Sequence, residues 1–275
     1  MTLITDERKA EGTMAPDRSD TLLDVADVGI RFETKRRSVQ ALEHVDLTVQ
    51  RGEFISIVGP SGCGKSTLLR AVAGLTLPTS GRIELRGSEV TAPRKDVGFV
   101  FQRPALLPWR DVRRNIMLQA EMRGIDKRAA NARCDELLEL TSLTDFAKAL
   151  PHELSGGMQQ RVSLCRALLH DPDVLLMDEP FGALDALTRE HLNVELQRVW
   201  AQTNKTILLV THSVPEAVYL ASRVVVMGPR PGRIIEEFDI DLPHEREYEP
   251  TLEDQRFHAV AGRVRELLGS PMGGD

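Results

Sequence analysis

The stretch Gly59-Pro-Ser-Gly-Cys-Gly-Lys-Ser-Thr67 stands between an apolar segment, FISIV (54–58), and a helix-forming run, STLLRAVAG. Residues 59–66 match G-x-x-x-x-G-K-[ST] at every fixed position, in the strand–loop–helix context that this motif requires. The glycines let successive backbone N–H groups turn inward, and the helix N-terminus adds a partial positive charge. A glycine turn can precede a helix by chance, but this context predicts a cradle for the phosphates of a nucleoside triphosphate. The predicted cradle residues are Gly59, Pro60, Ser61, Gly62, Cys63, Gly64, Lys65, Ser66 and Thr67.

Lys65 is expected to be the side chain of this loop that is hardest to replace. A lysine–phosphate contact at ~4 Å is worth roughly 4 kcal/mol at an effective dielectric of ~20. A neutral hydrogen bond contributes about 1 kcal/mol net. The hydroxyl of Ser66 is expected to bind Mg²⁺. Since Cys63 lies inside the loop, we expect a bulky thiol reagent at this residue to block nucleotide binding, and ATP to protect against the reagent.

The composition is that of an ordinary globular protein, with 41% hydrophobic and 28% charged residues among 275. The formal net charge of -6 argues against a nucleic-acid partner, which would need a basic face. Three cysteines without a C-x-x-C pair favour a reducing cytosol. Residues 1–20 lack the apolar core of a secretory signal and are predicted to be a disordered tail. Apolar runs such as ILLV are far shorter than the ~20 residues that span a bilayer, so we expect the chain to cross no membrane.

Alternating strand and helix patterns predict an α/β fold with a largely parallel sheet. Residues 22–49 have the alternation of a hairpin that turns at ETKRRS. Apolar, β-branched segments predict strands buried on both faces at 54–58, 97–101, 174–177, 206–210 and 223–227. Helical spacing recurs at Met158, Val162, Cys165 and Leu169, and again at Leu192, Leu196, Val199 and Trp200. Residues 104–171 are predicted to be a mostly helical insertion. A further strand is expected in RIIEEFDIDL and a last helix in EDQRFHAVAGRVRELL.

Polar side chains stand at the ends of several predicted strands. Asp178 and Glu179 follow VLLM, and unpaired acids at such a place are poor core residues. In a protein with a phosphate loop, the first acid holds Mg²⁺ and the second polarises the attacking water as general base. His212 and Gln102 end two other strands, at the edge where open α/β sheets gather their ligands. The alternative for the two acids is that they cap the next helix.

The segment LSGGMQQR (154–161) is not explained by the phosphate loop. Ser155 is a good helix N-cap, and Gly156 and Gly157 expose bare N–H groups at a helix start. The segment therefore predicts a second anion site. Taken alone, it is better explained as an ordinary capped helix.

The combination is more specific than its parts. The loop 59–67, Gln102, LSGGMQQR, LLMDEP, ALD (183–185) and His212, in this order, resemble the ATP-binding cassette family of ATPases over roughly residues 22–268. The resemblance implies a P-loop NTPase fold with a RecA-like core, an antiparallel β subdomain and a helical subdomain. It implies a cassette over 21–250 that contains the 104–171 insertion, and a C-terminal helix and tail over 251–275.

The resemblance also implies roles for residues. Two copies pack head to tail and sandwich two ATP, so that Ser155, Gly156 and Gly157 of one copy face the γ-phosphate held by the other. His212 contacts the γ-phosphate, Gln102 senses it and contributes to the Mg²⁺ site, and Asp185 couples the two sites. Phe32 is at the position of the aromatic residue that stacks on adenine.

Within the family, three phrases are most similar to importer subunits for nitrate, sulfonate, taurine and related solutes: FVFQRPALLPWRDVRRNI, PFGALDALTR and GPRPGRI. The chain departs from the common pattern at THSVPEAV and SLCRALL, which weakens an exact substrate assignment. The implied partners are two integral membrane permease subunits and, indirectly, a solute-binding protein, with the chain on the cytoplasmic face of the inner membrane. ALLPW (105–109) is either a contact surface for these permeases or internal packing. Alternative functions are an importer ATPase for a pyrimidine precursor, an exporter ATPase, a soluble non-transport cassette ATPase and a nucleotide-binding switch.

Overall fold

The structure is a computed structural model, and it describes residues 20–33 and 38–269. The predicted N-terminal tail therefore lies outside the described residues, apart from Asp20. The strands are β1 (Thr21–Glu33), β2 (Ser38–Gln50), β3 (Phe54–Val58), β4 (Ser80–Leu85), β5 (Ser88–Glu89), β6 (Val97–Val100), β7 (Val174–Asp178), β8 (Thr206–Val210), β9 (Arg223–Met227) and β10 (Ile234–Asp239). The helices are α1 (Lys65–Val72), α2 (Val112–Arg123), α3 (Lys127–Leu140), α4 (Gly156–Leu168), α5 (Ala186–Thr203), α6 (Val214–Leu220), α7 (Tyr248–Glu253) and α8 (Gln255–Gly269).

The larger sheet has six strands in the order β10-β9-β3-β8-β7-β6. The pairs from β9 through β6 are parallel, and β10 runs antiparallel to β9. The predicted strands at 54–58 and 206–210 are observed with these bounds, whereas the strand predicted at 97–101 ends at Val100. The prediction of a largely parallel sheet is confirmed.

Both faces of this sheet are buried, because alternate strand residues enter two different cores. In β7, Leu175 and Met177 belong to one hydrophobic cluster, and Val174 and Leu176 belong to the other. This arrangement explains why the strands are continuous apolar runs rather than alternating ones. Seven of the eight helical positions predicted from their spacing are also buried, with Val162 and Leu196 both 0% exposed, and Met158 is partly buried.

The smaller sheet is antiparallel, in the order β2-β1-β4-β5. The predicted hairpin is observed as β1 and β2, but β4 and β5 were not predicted. Four of the six β4 residues are at least partly exposed, and β5 has two residues, so the apolar signal of these strands is weak.

The segment between β6 and β7 carries α2, α3 and α4 and, within the described residues, no strand. At the C-terminal end, the predicted boundary at residue 250 falls within α7, and α8 places Phe257, Ala261 and Val264 in the same core as α4 and α5. Among the described residues, no helix is both long and apolar enough to span a bilayer.

Candidate functional site

The carboxyl ends of the parallel strands meet at one edge of the large sheet, and the predicted strand-end residues gather there. The loop 59–64 follows β3, Asp178 ends β7, Gln102 lies two residues beyond β6, and His212 lies two residues beyond β8. Ligands of open α/β sheets bind at this edge. Sheet order therefore brings together residues as far apart in the chain as Gly59 and His212.

The loop between β3 and α1 encloses a cavity of about 310 Å³. Gly62 and Gly64 have φ of 76° and 110°, values that favour glycine. Ser66 and Thr67, on the first turn of α1, face the same space. The described residues that line the cavity are Ser61, Gly62, Gly64, Lys65, Ser66, Thr67 and Glu179.

Lys65 is a buried cation without a counter-charge of its own. It is 6% exposed, and its Nζ donates to the carbonyls of Gly59 at 2.8 Å and Pro60 at 3.0 Å. Within the described residues it forms no ion pair with a carboxylate. Since a buried unpaired charge is costly, this arrangement fits a site that receives an anion.

Cys63 is part of the loop but does not open on the cavity. Its side chain is 1% exposed, and its Sγ lies 4.0 Å from Lys65 Nζ. The prediction that a thiol reagent blocks the site therefore has to be corrected for access. Because the sulfur is buried, we expect a thiol reagent to react slowly with Cys63 in the folded protein.

Two side-chain oxygens lie together beside the cavity. Ser66 Oγ donates to Asp178 Oδ1 at 2.7 Å, and Asp178 is 8% exposed at the last position of β7. Mg²⁺ prefers hydroxyl, carboxylate and phosphate oxygens at adjacent octahedral positions. The chemistry and spacing of this pair fit such an ion.

Glu179 is held in a backbone conformation that is uncommon for a residue other than glycine. Its φ is 45°, and its N–H donates to the carbonyl of Val210 at 2.9 Å. Gln102 Nε2 donates to Glu179 Oε2 at 3.4 Å, and His212 Nδ1 lies 3.5 Å from the same oxygen. Backbone strain of this kind concentrates at functional sites. The carboxylate faces the cavity between these two polar groups.

Ser155 and Gly156 are exposed, and residues 155–157 are not among the described residues that line the cavity of the same chain. Ser155 Oγ accepts the N–H of Met158 at 3.3 Å and so caps α4. A Cβ on Gly157 would lie 2.6 Å from Thr188 Cγ2, so α4 begins in close contact with the start of α5. Asp185 caps α5 by accepting the N–H of Thr188 at 3.0 Å, and this bond lowers the pKa of Asp185.

Phe32 lies near the end of β1, opposite Val39, and is 44% exposed. The ring does not line the 310 Å³ cavity, and its stacking on adenine stays a prediction.

Three supporting residues, Thr211, Ser213 and Glu216, were missed by the sequence analysis. Thr211 accepts the N–H of Ser213 at 3.0 Å and donates its own hydrogen to Glu216, which is 5% exposed. Ser213 Oγ accepts the N–H of Glu216 at 3.4 Å. The relay differs from a capping box in that the Thr211 hydroxyl stands between the Glu216 carboxylate and the Ser213 N–H. The Ser-x-x-Glu spacing at 213–216 was the available signal.

The loop that carries Gln102 is held by α4. Gln160 Nε2 donates to the carbonyl of Phe101 at 3.1 Å, and Arg166 Nη1 donates to the carbonyl of Ala105 at 2.6 Å. Both side chains are buried. Polar residues at buried positions of an otherwise apolar helix face were the signal that could have identified them.

Comparisons with known proteins agree with this geometry. The family described as ABC transporter matches residues 42–182. A taurine import ATP-binding protein of Jannaschia sp. (strain CCS1) is 49% identical over 251 residues, which cover 90% of this chain and 93% of that protein. Its counterpart in Roseobacter denitrificans is 49% identical over 249 residues, covering 90% and 92%.

The fold is also similar to a solved ATP-binding cassette, a dimer in a post-hydrolysis state bound to ADP and Pi. The TM-score is 0.70 at 30% identity, covering 81% of this chain and 100% of that one. The phosphate loop, the strand-end acids and these likenesses lead to one conclusion. The chain belongs to the ABC transporter family, as an ATP-binding subunit that hydrolyses ATP.

Proposed function

We propose that this chain powers the import of a small organosulfonate of the taurine class through separate membrane permease subunits. The proposal rests on one observation: the chain is 49% identical, over 90% of its length, to proteins named for taurine import. Lys65, which is buried, and Glu179, which is hydrogen-bonded by Gln102, both line the cavity, and they are the residues to which we assign the ATPase chemistry.

ATP binding is assigned to the loop 59–67. Its amides and Lys65 would neutralise the phosphates, and Phe32 would stack on adenine. Ser66 and Asp178 would hold Mg²⁺, with Gln102 as a further ligand through its side-chain oxygen. When bound, the ion neutralises charge on the phosphate oxygens.

Hydrolysis is assigned to Glu179 as general base. The carboxylate lines the cavity, and its Oε2 is flanked by Gln102 and His212. A water between Glu179 and the γ-phosphate would pass a proton to this oxygen as the water oxygen bonds to the γ-phosphorus. The bond from the γ-phosphorus to the bridging oxygen would break, ADP would leave, and His212 would contact the γ-phosphate. Such a base supplies about 10²–10⁴-fold of rate.

A second copy of the chain is the proposed partner at the nucleotide. Residues 155–157 are at the capped tip of α4 and outside their own cavity, and Ser155 and Gly156 are exposed to another copy. We assign them to the γ-phosphate bound by the partner copy, and Asp185 to the coupling of the two sites. A solved dimer of a similar cassette supports this assembly.

The loop 105–109 is the proposed contact surface for the permeases. Leu106 packs against the core, whereas Trp109 is 72% exposed. Asn115 exchanges hydrogen bonds with the backbone of Leu107 and donates to Arg110, so the loop has a defined shape. An exposed tryptophan on a braced loop is typical of a protein contact. The chain would bind the cytoplasmic face of the inner membrane through this contact and serve a solute-binding protein indirectly.

The test is solute uptake in cells that lack this chain, complemented with the wild type or with Lys65→Ala. We expect labelled taurine uptake with the wild type alone, and competition by unlabelled sulfonates. If nitrate or a pyrimidine precursor competed instead of sulfonates, the transported solute would belong to that class and not to the sulfonates. Wild-type uptake with Lys65→Ala would contradict the role of the chain as the energy source.

A further inference from the structure

The loop after β9, residues 228–233, lies at the same strand-end edge as the nucleotide site. Its sequence is GPRPGR. The backbone of the loop is fixed to β2, because Gly232 N–H donates to the carbonyl of Ala41 at 2.9 Å and Glu43 N–H donates to the carbonyl of Gly232 at 3.0 Å. The loop is therefore held to the small sheet on one side.

On its other side the same loop touches residues 62–64. A Cβ on Gly232 would lie 1.9 Å from the carbonyl oxygen of Cys63, so only glycine permits this approach. A Cβ on Gly64 would lie 2.9 Å from the carbonyl oxygen of Ala41. The phosphate loop is thus enclosed by backbone from β2 and from residues 228–233.

Arg230 adds a side-chain contact to this enclosure. Its Nε and Nη2 donate to the carbonyl oxygen of Gly62 at 3.2 and 3.0 Å. The residue is exposed, and in the described ranges 20–33 and 38–269 it forms no ion pair with a carboxylate. Arg230 is not among the residues that line the cavity, so its guanidinium binds Gly62 from outside the cavity.

We propose that Arg230 is a positioning residue of the nucleotide site, and that it preorganises the phosphate loop by holding the Gly62 carbonyl. Gly62 has a φ of 76°, and a glycine loses more conformational freedom on ordering than any other residue. A two-pronged hydrogen bond to its carbonyl orders this residue before the ligand arrives. Preorganisation raises affinity because less ordering remains for the binding step.

The proposal rests on the proposed nucleotide binding and names a residue that this function did not include. Its test compares two variants. Arg230→Met removes the donors and the charge, whereas Arg230→Lys keeps the charge but lacks the paired N–H donors of the guanidinium. Arg233→Met is the matched control, because Arg233 is an exposed arginine three residues away that faces Glu43 at 3.6 Å.

ATP affinity of the full chain is measured by calorimetry, and amide hydrogen exchange of residues 59–67 is measured without nucleotide. We expect Arg230→Met to weaken ATP binding about tenfold, which corresponds to about 1.4 kcal/mol. We expect faster amide exchange in the phosphate loop. We also expect a raised KM for ATP with little change in kcat, because the variant loses binding energy equally in the ground state and the transition state. Arg230→Lys should lie between wild type and Arg230→Met, since an ammonium donates to one carbonyl without a planar fork. Arg233→Met should match the wild type.

Wild-type exchange in Arg230→Met would overturn the proposal, and so would wild-type ATP affinity in that variant. Equal effects of Arg230→Met and Arg233→Met would also overturn it, because the effect would then come from net charge. If the wild-type chain binds no ATP, the proposed function fails instead, and the exchange measurement still decides the role of Arg230.

Discussion

At the residue scale, the site depends on side chains that hold other side chains. Glu179 is flanked by Gln102 and His212, and His212 lies between Thr211 and Ser213 of the capping relay. Glu216 closes the relay from a buried position, where burial raises the pKa of its carboxyl group. The geometry of the predicted catalytic residues therefore depends on residues that never face the cavity.

The relay can be tested with Thr211→Val, which keeps the shape and removes the hydroxyl. The Ser213 N–H and the Glu216 carboxyl each lose a partner, and we expect the free energy of unfolding to fall by about 2 kcal/mol. Urea denaturation measures this loss. Thr203→Val is the control, because the Thr203 hydroxyl donates to the Val199 carbonyl at 2.7 Å within one partly exposed helix. Equal losses in the two variants would contradict the relay.

We expect His170 to make stability depend on pH. Burial, with Arg123 and Lys205 nearby, lowers the pKa of His170 to about 4, and its Nε2 lies 3.3 Å from the carbonyl oxygen of Val97. Below pH 6.5, His170 takes up a proton in the unfolded chain but not in the folded chain. The contribution of the neutral histidine to the free energy of unfolding is therefore present above pH 6.5 and is lost as the pH falls towards 4.

When the pH falls from 7 to 5, we expect His170 to lower the free energy of unfolding of the wild type by about 2 kcal/mol. Denaturation of wild type and His170→Gln at the two pH values measures the difference. An equal pH dependence in both proteins would assign the acid loss to other groups.

At the scale of elements, the two capped helix starts are packed on each other. The absence of a side chain at Gly157 lets α4 approach Thr188 of α5, so the tip at 155–157 and the cap at Asp185 form one surface. The same α4 holds the loop of Gln102 through Gln160 and Arg166. One helix thus connects the predicted partner-facing tip with the predicted permease contact.

We expect Gly157→Ala to destabilise the fold by about 1–3 kcal/mol, because the added methyl group overpacks the contact with Thr188. Thermal or urea unfolding measures the loss. Thr188→Ser removes the clashing methyl group, so the double variant should recover most of it. Gly262→Ala is the control, since a Cβ there meets nothing within 4 Å. Absence of rescue would place the strain elsewhere.

At the scale of the whole molecule, a sheet buried on both faces carries a site that is open on one side. The cavity is lined by one copy, while the tip of α4 in that copy lies outside it. This arrangement favours an assembly in which each copy completes the site of the other.

Glu179→Gln tests the assembly and the general base together. We expect it to retain ATP binding, to lose about 10²–10⁴-fold of hydrolysis, and to remain a dimer when ATP is present. Light scattering with and without nucleotide measures the mass. Glu136→Gln changes a glutamate whose side chain is 64% exposed and should behave as the wild type. Normal hydrolysis by Glu179→Gln would remove this residue from the role of base.

The sequence by itself determined the phosphate loop, the buried parallel strands and the polar residues at their ends. These features are contiguous or periodic, so spacing and residue type are enough to identify them. The loop 59–67 and the pair Asp178 and Glu179 are of this kind. The short, mostly exposed strands β4 and β5 were missed because little of their surface is buried.

Only the tertiary structure decided which distant residues support the site. Arg230 meets Gly62 across 168 positions, and Gln160 meets Phe101 across 59. Gly157 and Gly232 are needed because other chain segments approach them closely. No local pattern encodes these contacts, since they arise from sheet order and helix packing, which bring together segments that are remote along the chain.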